Sequence, residues 1–297
     1  MPELPEVQTI VSGINKKLIG LGIKEVWSDA PKLIKNISFE NFKKEILGKE
    51  ILDAKRIGKN ILLHLSGDKT ILLHMKMTGH LLYGKYRHTP TEKIKWVPEE
   101  KSSPLCDPYN RFVHILFELS NGHELAFCDV RKFGKIVLLE TKKEMDSVDL
   151  KKLGPDALDK NFNFEKFKET LSKKKDGFIK QILMDQEVIA GIGNIYSDEI
   201  LWTAGIHPKE KLSKLKDEHK KKMFDAMKKI LDESVKLGGD SMSDFRDIEG
   251  EKGKFQETHK AYRKTGEPCS KKDGGTIVKI KVGGRSAHFC DTHQKLF

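Results

Sequence analysis

Between residues 4 and 18, apolar side chains fall at Leu4, Val7, Ile10, Val11, Ile14 and Leu18, three or four apart. That spacing predicts one amphipathic helix, stopped by Gly20 and Gly22. From 23 to about 140 the pattern shortens to apolar runs split by turn residues. Strands are expected over 61–65, 71–77, 113–119, 124–128 and 135–140, which suggests a β-sandwich or barrel. Residues 84–112, with prolines at 90, 98, 104 and 108, read as a long polar insertion or loop. The charged stretch 141–162, ending in Leu153-Gly154-Pro155-Asp156, reads as a linker. Helical spacing then governs 164–175, 178–185, 194–204 and 214–236. A tight glycine turn of helix-turn-helix type lies at Ala190-Gly191-Ile192-Gly193-Asn194. Residues 238–256 hold glycines and charges without periodicity, as a mobile loop or lid does. Two short strand patterns, 276–282 and 286–290, form a hairpin around Gly283-Gly284-Arg285.

Charge adds a partner class. The 297 residues carry 55 Lys+Arg against 44 Asp+Glu, a net +11 that suits a polyanion such as nucleic acid. No apolar run approaches the ~20 residues of a membrane span, and no signal-peptide core follows Met1. Four cysteines without a secretory signal argue for a reducing cytoplasm. Cys106 and Cys128 read as ordinary thiols.

The first residues carry the sharpest chemistry. Removal of Met1 would leave Pro2 with a free secondary amine, whose pKa of about 8 keeps roughly a tenth of it neutral at pH 7. Such an amine attacking a sugar C1′ gives a cationic iminium, an electron sink for breaking neighbouring bonds. Glu3 can relay the proton. The position at a helix N-terminus favours a nearby phosphate and opposes protonation of the amine. Lys59, in Ile57-Gly58-Lys59-Asn60, is either a lysine fixed to reach a phosphate or one solvated lysine among many. Gly191 to Asn194 suits both a phosphate held by helix-start N–H groups and a tight helix corner capped by Asn194. Met77, Arg131 and Phe133 lie at strand ends. They could wedge into a base stack beside an extruded nucleotide, or Met77 and Phe133 could be core. At the C-terminus, Cys269 and Cys290-x2-His293 give three ligands of a zinc ribbon, but Lys272 stands where a second cysteine belongs. Asp273 could supply the fourth ligand, and a hairpin held by packing alone is the alternative.

Seven motifs in register resemble the formamidopyrimidine-DNA glycosylase (Fpg/MutM) branch of the Fpg/Nei superfamily over nearly the whole chain. They are Pro-Glu-Leu-Pro-Glu-Val at 2–7, Gly-Lys at 58–59, His74 to Gly79, Asp129 to Gly134, Gly154-Pro155-Asp156, Asp185 to Tyr196, and Gly284 to Cys290. The resemblance implies an α+β protein of two domains. A β-sandwich with a leading helix would occupy 1–140, with a linker at 141–162. A helix-two-turn-helix domain would occupy 163–255, with a lesion-capping loop at 238–256, and a β-hairpin finger, zinc or zincless, 257–297. It implies a monomeric, bifunctional glycosylase and abasic-site lyase acting on oxidised purines in duplex DNA, in the cytoplasm and at the nucleoid. Pro2 would attack C1′ and drive β- and δ-elimination, with Glu3 as proton shuttle and Lys59 contacting phosphate. Asn194 and Arg285 would clamp the flanking phosphates, Arg285 also serving the catalytic set. Met77, Arg131 and Phe133 would fill the void, with Arg131 facing the orphaned cytosine. Catalysis would need no cofactor; any zinc, on Cys269, Cys290, His293 and Asp273, would be structural. Leu4, where the endonuclease VIII branch usually has glycine, favours the purine-directed branch. The alternatives are endonuclease VIII-like excision of oxidised pyrimidines, a non-catalytic binder of damaged DNA, and a helix-turn-helix module for structured RNA.

Overall fold

The computed structural model describes residues 1–91 and 95–297. The chain divides into two compact units, one of residues 1–151 with 237–254, the other of 152–236 with 255–297.

In the first unit the expected leading helix forms as α1 (Leu4–Lys17), whose stripe Val7, Ile10, Val11 and Ile14 is buried. Two four-stranded antiparallel sheets follow. One has the order β1 (Ile23–Ser28), β8 (Val113–Leu119), β9 (Glu124–Asp129), β5 (Gly79–Gly84). The other runs β10 (Lys135–Glu140), β4 (Lys69–His74), β3 (Asn60–Leu65), β2 (Ile51–Ile57). Alternate residues such as Ile61, Leu63 and Leu65 of β3 and Ile115, Phe117 and Leu119 of β8 enter one core, together with α1 and Phe42 and Ile46 of α2 (Phe39–Ile46). Side chains alternate between the two faces of a strand, so every second residue points into this core. Each such aliphatic side chain contributes about 1.5–3 kcal/mol relative to exposure.

Residues 84–112 are more than the polar loop their prolines suggest. They contain the short hairpin β6 (Tyr86–His88) and β7 (Trp96–Pro98) and two 3-10 turns. Residues 92–94 of this stretch lie outside the described residues. Tyr86, Trp96 and Leu105 form a second apolar cluster with Leu82, Leu116, Ala126 and Cys128 on β5, β8 and β9. The strands it covers are apolar on both faces, so one face needs a cover other than water.

The second unit holds α3 (Phe164–Ser172), α4 (Ile179–Met184), α5 (Asn194–Ala204), α6 (Asp217–Lys236) and the hairpin β11 (Ile277–Val282) and β12 (Arg285–Cys290). Phe162 meets Phe167 of α3 and Phe224 of α6 edge to face, and those two rings pack tilted against each other. Tyr196 on α5 hydrogen-bonds Ser234 on α6 at 2.6 Å. Gly205 ends α5 in the left-handed region, φ +70, which only glycine enters freely. Among the described residues no helix is long and apolar enough to cross a membrane.

The segment at 237–254 belongs to the first unit rather than to the helices it follows in sequence. Phe245 and Ile248 sit in the sandwich core, and Ile248 packs where Gly13 of α1 has no side chain.

Candidate functional site

Pro2 and Glu3 are buried at the start of α1. Glu3 is the N-cap, with the reciprocal bonds of a capping box. Its backbone N–H donates to Glu6 Oε2 at 2.7 Å. The other Glu6 oxygen accepts the Asp240 N–H at 2.7 Å, so one buried carboxylate ties the chain start to the 237–254 segment. Lys59 is also buried, in the two-residue turn joining β2 to β3, where Gly58 takes φ +57. Arg56 holds that turn to α1: its Nε donates to Gln8 at 2.9 Å and its Nη1 to the Gly58 carbonyl at 3.0 Å. His74, paired with Asn60 across β3–β4, is pushed down to about 3, chiefly by its burial and then by the nearby Lys76 and Lys59 charges. It is a neutral imidazole whose Nδ1 accepts the Lys76 N–H at 3.0 Å.

Met77, Arg131 and Phe133 stand on two adjacent loops that one buried residue joins. Asp129 Oδ1 accepts the Thr78 hydroxyl and the Arg131 N–H, the latter at 3.2 Å, and Oδ2 accepts the Gly134 N–H at 2.7 Å. Met77 and Phe133 are 37% and 52% exposed, so neither is a core side chain. The Arg131 guanidinium lies 4.4 Å from the Phe133 ring centre, a cation–π contact that keeps the two together. Gly134 admits no side chain, because a Cβ there would sit 2.4 Å from Phe127 Cζ.

In the second unit, the turn before α5 is built on Gln186. Its amide donates to the Met184 and Ile192 carbonyls, both at 2.8 Å, and its oxygen accepts the Gly191 N–H at 3.0 Å. Gly191 takes φ +109, and Gly193 rather than Asn194 is the N-cap. Asn194 is the first helical residue, and its amide nitrogen reaches Ser286 Oγ at 3.4 Å. Ser286 neighbours Arg285, which is exposed at the start of β12 after two glycines with positive φ. A buried triad fixes this docking. Asp198 on α5 accepts from Lys180 on α4 at 2.6 Å, and its other oxygen takes the His288 backbone N–H at 3.0 Å and Nδ1 at 2.9 Å. Glu199 holds the approach to the hairpin, accepting the N–H groups of Lys260, Ala261 and Tyr262 at 2.7–3.0 Å.

The family model for the formamidopyrimidine-DNA glycosylase N-terminal domain matches residues 1–136, and that for the H2TH domain of the same enzymes matches 153–246. The formamidopyrimidine-DNA glycosylase of Heliobacterium modesticaldum is 36% identical over 99% of this chain and 100% of its own. That of Pelotomaculum thermopropionicum is 37% identical over the full length of both. The chain belongs to the formamidopyrimidine-DNA glycosylase family. Lactococcus lactis Fpg in complex with DNA containing N7-benzyl-Fapy-dG superposes with a TM-score of 0.84 at 34% identity, covering 99% of this chain and 100% of that one. The same Lactococcus enzyme bound to DNA with an abasic site matches as well, at 33% identity and TM-score 0.84.

The hairpin at the C-terminus departs from a four-cysteine zinc ribbon, with Lys272 at the position a second cysteine would take. The Cys269, Asp273, Cys290 and His293 ligand atoms lie within 4.8 Å of one another. Cys269 Sγ is 3.6 Å from His293 Nδ1, and Cys290 Sγ is 3.6 Å from Asp273 Oδ2. His293 Nδ1 and Asp273 Oδ2 stand closer, at 2.7 Å, in hydrogen-bond contact. It is therefore the chemistry of the set, two thiols, an imidazole and a carboxylate, that suits a tetrahedral zinc, whose ligand atoms stand roughly 3.3–3.8 Å apart. Lys272 is exposed, in a left-handed turn that carries the chain one residue further to Asp273. His293 Nε2 donates to the Trp202 carbonyl at 3.2 Å, which leaves Nδ1 to face the other three ligands. A Cβ on Gly275 would stand 2.4 Å from Cys290 Sγ, so the cradle depends on that glycine.

Sequence reading gave no role to Glu6, His74, Asp129 or Arg246. Glu6 three residues after Glu3 was a visible capping signal. Asp129 had none, since its partner Thr78 is remote in the chain.

Proposed function

We propose that the protein is a bifunctional glycosylase and abasic-site lyase that removes oxidised purines, 8-oxoguanine and formamidopyrimidines, from duplex DNA in the cytoplasm. The observation that carries this reading is the chain start. Pro2 and Glu3 are buried at the N-terminus of α1, and the Lys59 turn is bound to the same helix through Arg56 and Gln8, in a chain that matches the family end to end. Once Met1 is removed, the Pro2 nitrogen bonds to C1′ of an extruded nucleotide as the C1′–base bond breaks, and the base leaves with a proton that Glu3 helps deliver. The attacking nitrogen gives up its proton, and its lone pair then breaks the C1′–O4′ bond as Glu3 protonates O4′, which opens the sugar to an iminium that acidifies C2′–H. Loss of that proton expels the 3′ phosphate, and a second elimination expels the 5′ phosphate. Lys59 holds the phosphate through charge, as the compact ammonium of lysine does. Asn194 and Arg285 clamp flanking phosphates, while Met77, Arg131 and Phe133 fill the gap, offsetting an unstacking cost of a few kcal/mol. Residues 238–256 cover the extruded base. The Cys269, Asp273, Cys290 and His293 cluster would hold a structural zinc that contributes folding energy to the hairpin and takes no part in catalysis.

The test is borohydride trapping on a duplex with 8-oxoguanine opposite cytosine, beside a thymine glycol duplex, with mass spectrometry of the N-terminus and of bound metal. The expected result is an adduct at Pro2 and one zinc per chain, with Pro2→Gly losing excision and lyase activity while keeping DNA binding. A trapped peptide at any other position would overturn the nucleophile assignment. Preference for thymine glycol would move the protein to the pyrimidine-directed branch.

A further inference from the structure

The insertion at 84–112 and the segment at 237–254 meet at an ion pair between a buried arginine and a half-buried aspartate. Arg246 is 1% exposed, and its Nε and Nη2 both donate to Asp107 Oδ2, at 3.0 and 2.8 Å. Its remaining nitrogen, Nη1, donates to the carbonyls of Ser243 and Phe245 at 2.9 and 2.7 Å. The guanidinium also faces the Tyr109 ring at 5.2 Å. Asp107 is itself fixed, because its other oxygen accepts the Tyr109 N–H at 3.0 Å. Gly250, at φ +86, lies flat against the backbone of Pro104 and Leu105, where any Cβ would come within 2.7 Å. The base of the segment is closed by Lys254 N–H donating to the Leu237 carbonyl at 2.8 Å. Between these anchors Met242 and Ser243 are exposed side by side at the tip, and the arginine reaches the Ser243 carbonyl from beneath. An arginine fork that spends two nitrogens on a carboxylate and the third on one carbonyl at the tip and one at its base is a strut, and a lysine cannot replace it.

We propose that Asp107 and Arg246 are positioning residues that set the tip at 242–244, so that the insertion governs how the enzyme holds an extruded base while leaving the sugar chemistry alone. This rests on the reading that the segment covers the base. It divides the two activities: base excision needs the tip, whereas cleavage at a preformed abasic site presents no base to cover.

The experiment uses the full chain with its N-terminus verified, and compares wild type, Arg246→Met, Arg246→Lys and the double variant Asp107→Asn/Arg246→Met. Amide exchange across 241–246 is measured without DNA, and single-turnover cleavage is measured on 8-oxoguanine and on abasic duplexes. Exchange in Arg246→Met should rise about tenfold or more, as for a segment released from its anchor. Excision should fall about tenfold, abasic cleavage should stay within about twofold, and Arg246→Lys should lie between. The double variant removes the unpaired carboxylate but not the defect, so its tip stays loose. Unchanged exchange would overturn the strut whatever the activities show. An equal fall in both reactions, or recovery of excision in the double variant, would reduce the pair to a stabilising contact and sink the proposal. A wild type that cleaves abasic duplex but excises neither 8-oxoguanine nor formamidopyrimidine would contradict the substrate reading instead, and the exchange data would still test the strut.

Discussion

His74 shows how one residue beside the candidate site titrates against its surroundings. Its native value of about 3 lies below the ordinary imidazole value near 6.5. Between those two values the unfolded chain takes up a proton that the folded chain refuses. The stability it contributes is therefore complete above about pH 6.5 and is lost as pH falls toward 3. His74→Asn keeps an acceptor for the Lys76 N–H but cannot titrate. The expected result is a smaller loss of urea midpoint between pH 7 and pH 4.5 in the variant than in wild type. Equal losses would mean that His74 is not the proton-linked group.

Elements were legible where periodicity ran unbroken, as in α1, β8, β10 and the four helices of the second unit. β2 was not, since its burial pattern follows a register shift between Ile51 and Asp53 rather than strict alternation. β5 hides between glycines with both faces buried, and so reads as a short apolar run without a period. The loops show the same limit for the site. Met77 and Phe133 were recognisable as types, but nothing local announced that Asp129 binds their two loops together. Asp129→Asn tests that link. An amide cannot accept at both of its heavy atoms, so either the Gly134 N–H or the Arg131 and Thr78 donors lose their partner. The expected cost is about 1–3 kcal/mol in urea unfolding, with excision falling further than abasic-site binding. A variant as stable as wild type would show that the loops are held by packing around Gly134 and Phe127 alone.

At the scale of the whole molecule, the net charge of +11 acts through the side chains that acids of the chain do not already occupy. Lys221 is paired with both oxygens of Asp225 at 2.5 and 2.6 Å, one turn along α6, so it adds little to the outward field. Arg285 is exposed at the tip of its hairpin, on a strand that the Lys180–Asp198–His288 triad seats against α5. Counterion release turns this contrast into a measurement, since each neutralised phosphate contributes about 0.9 to the slope of log affinity against log salt. Binding to a duplex with an abasic-site analogue, titrated between about 50 and 200 mM salt, should weaken steeply for wild type. Arg285→Ala should shallow the slope by about one, whereas Lys221→Ala should leave it unchanged. A slope indifferent to Arg285 but sensitive to Lys221 would mean that the DNA lies along α6 rather than at the hairpin tip. That outcome would remove the hairpin's clamp from the proposed mechanism while leaving the chemistry at Pro2 untouched, because the two rest on different units of the fold.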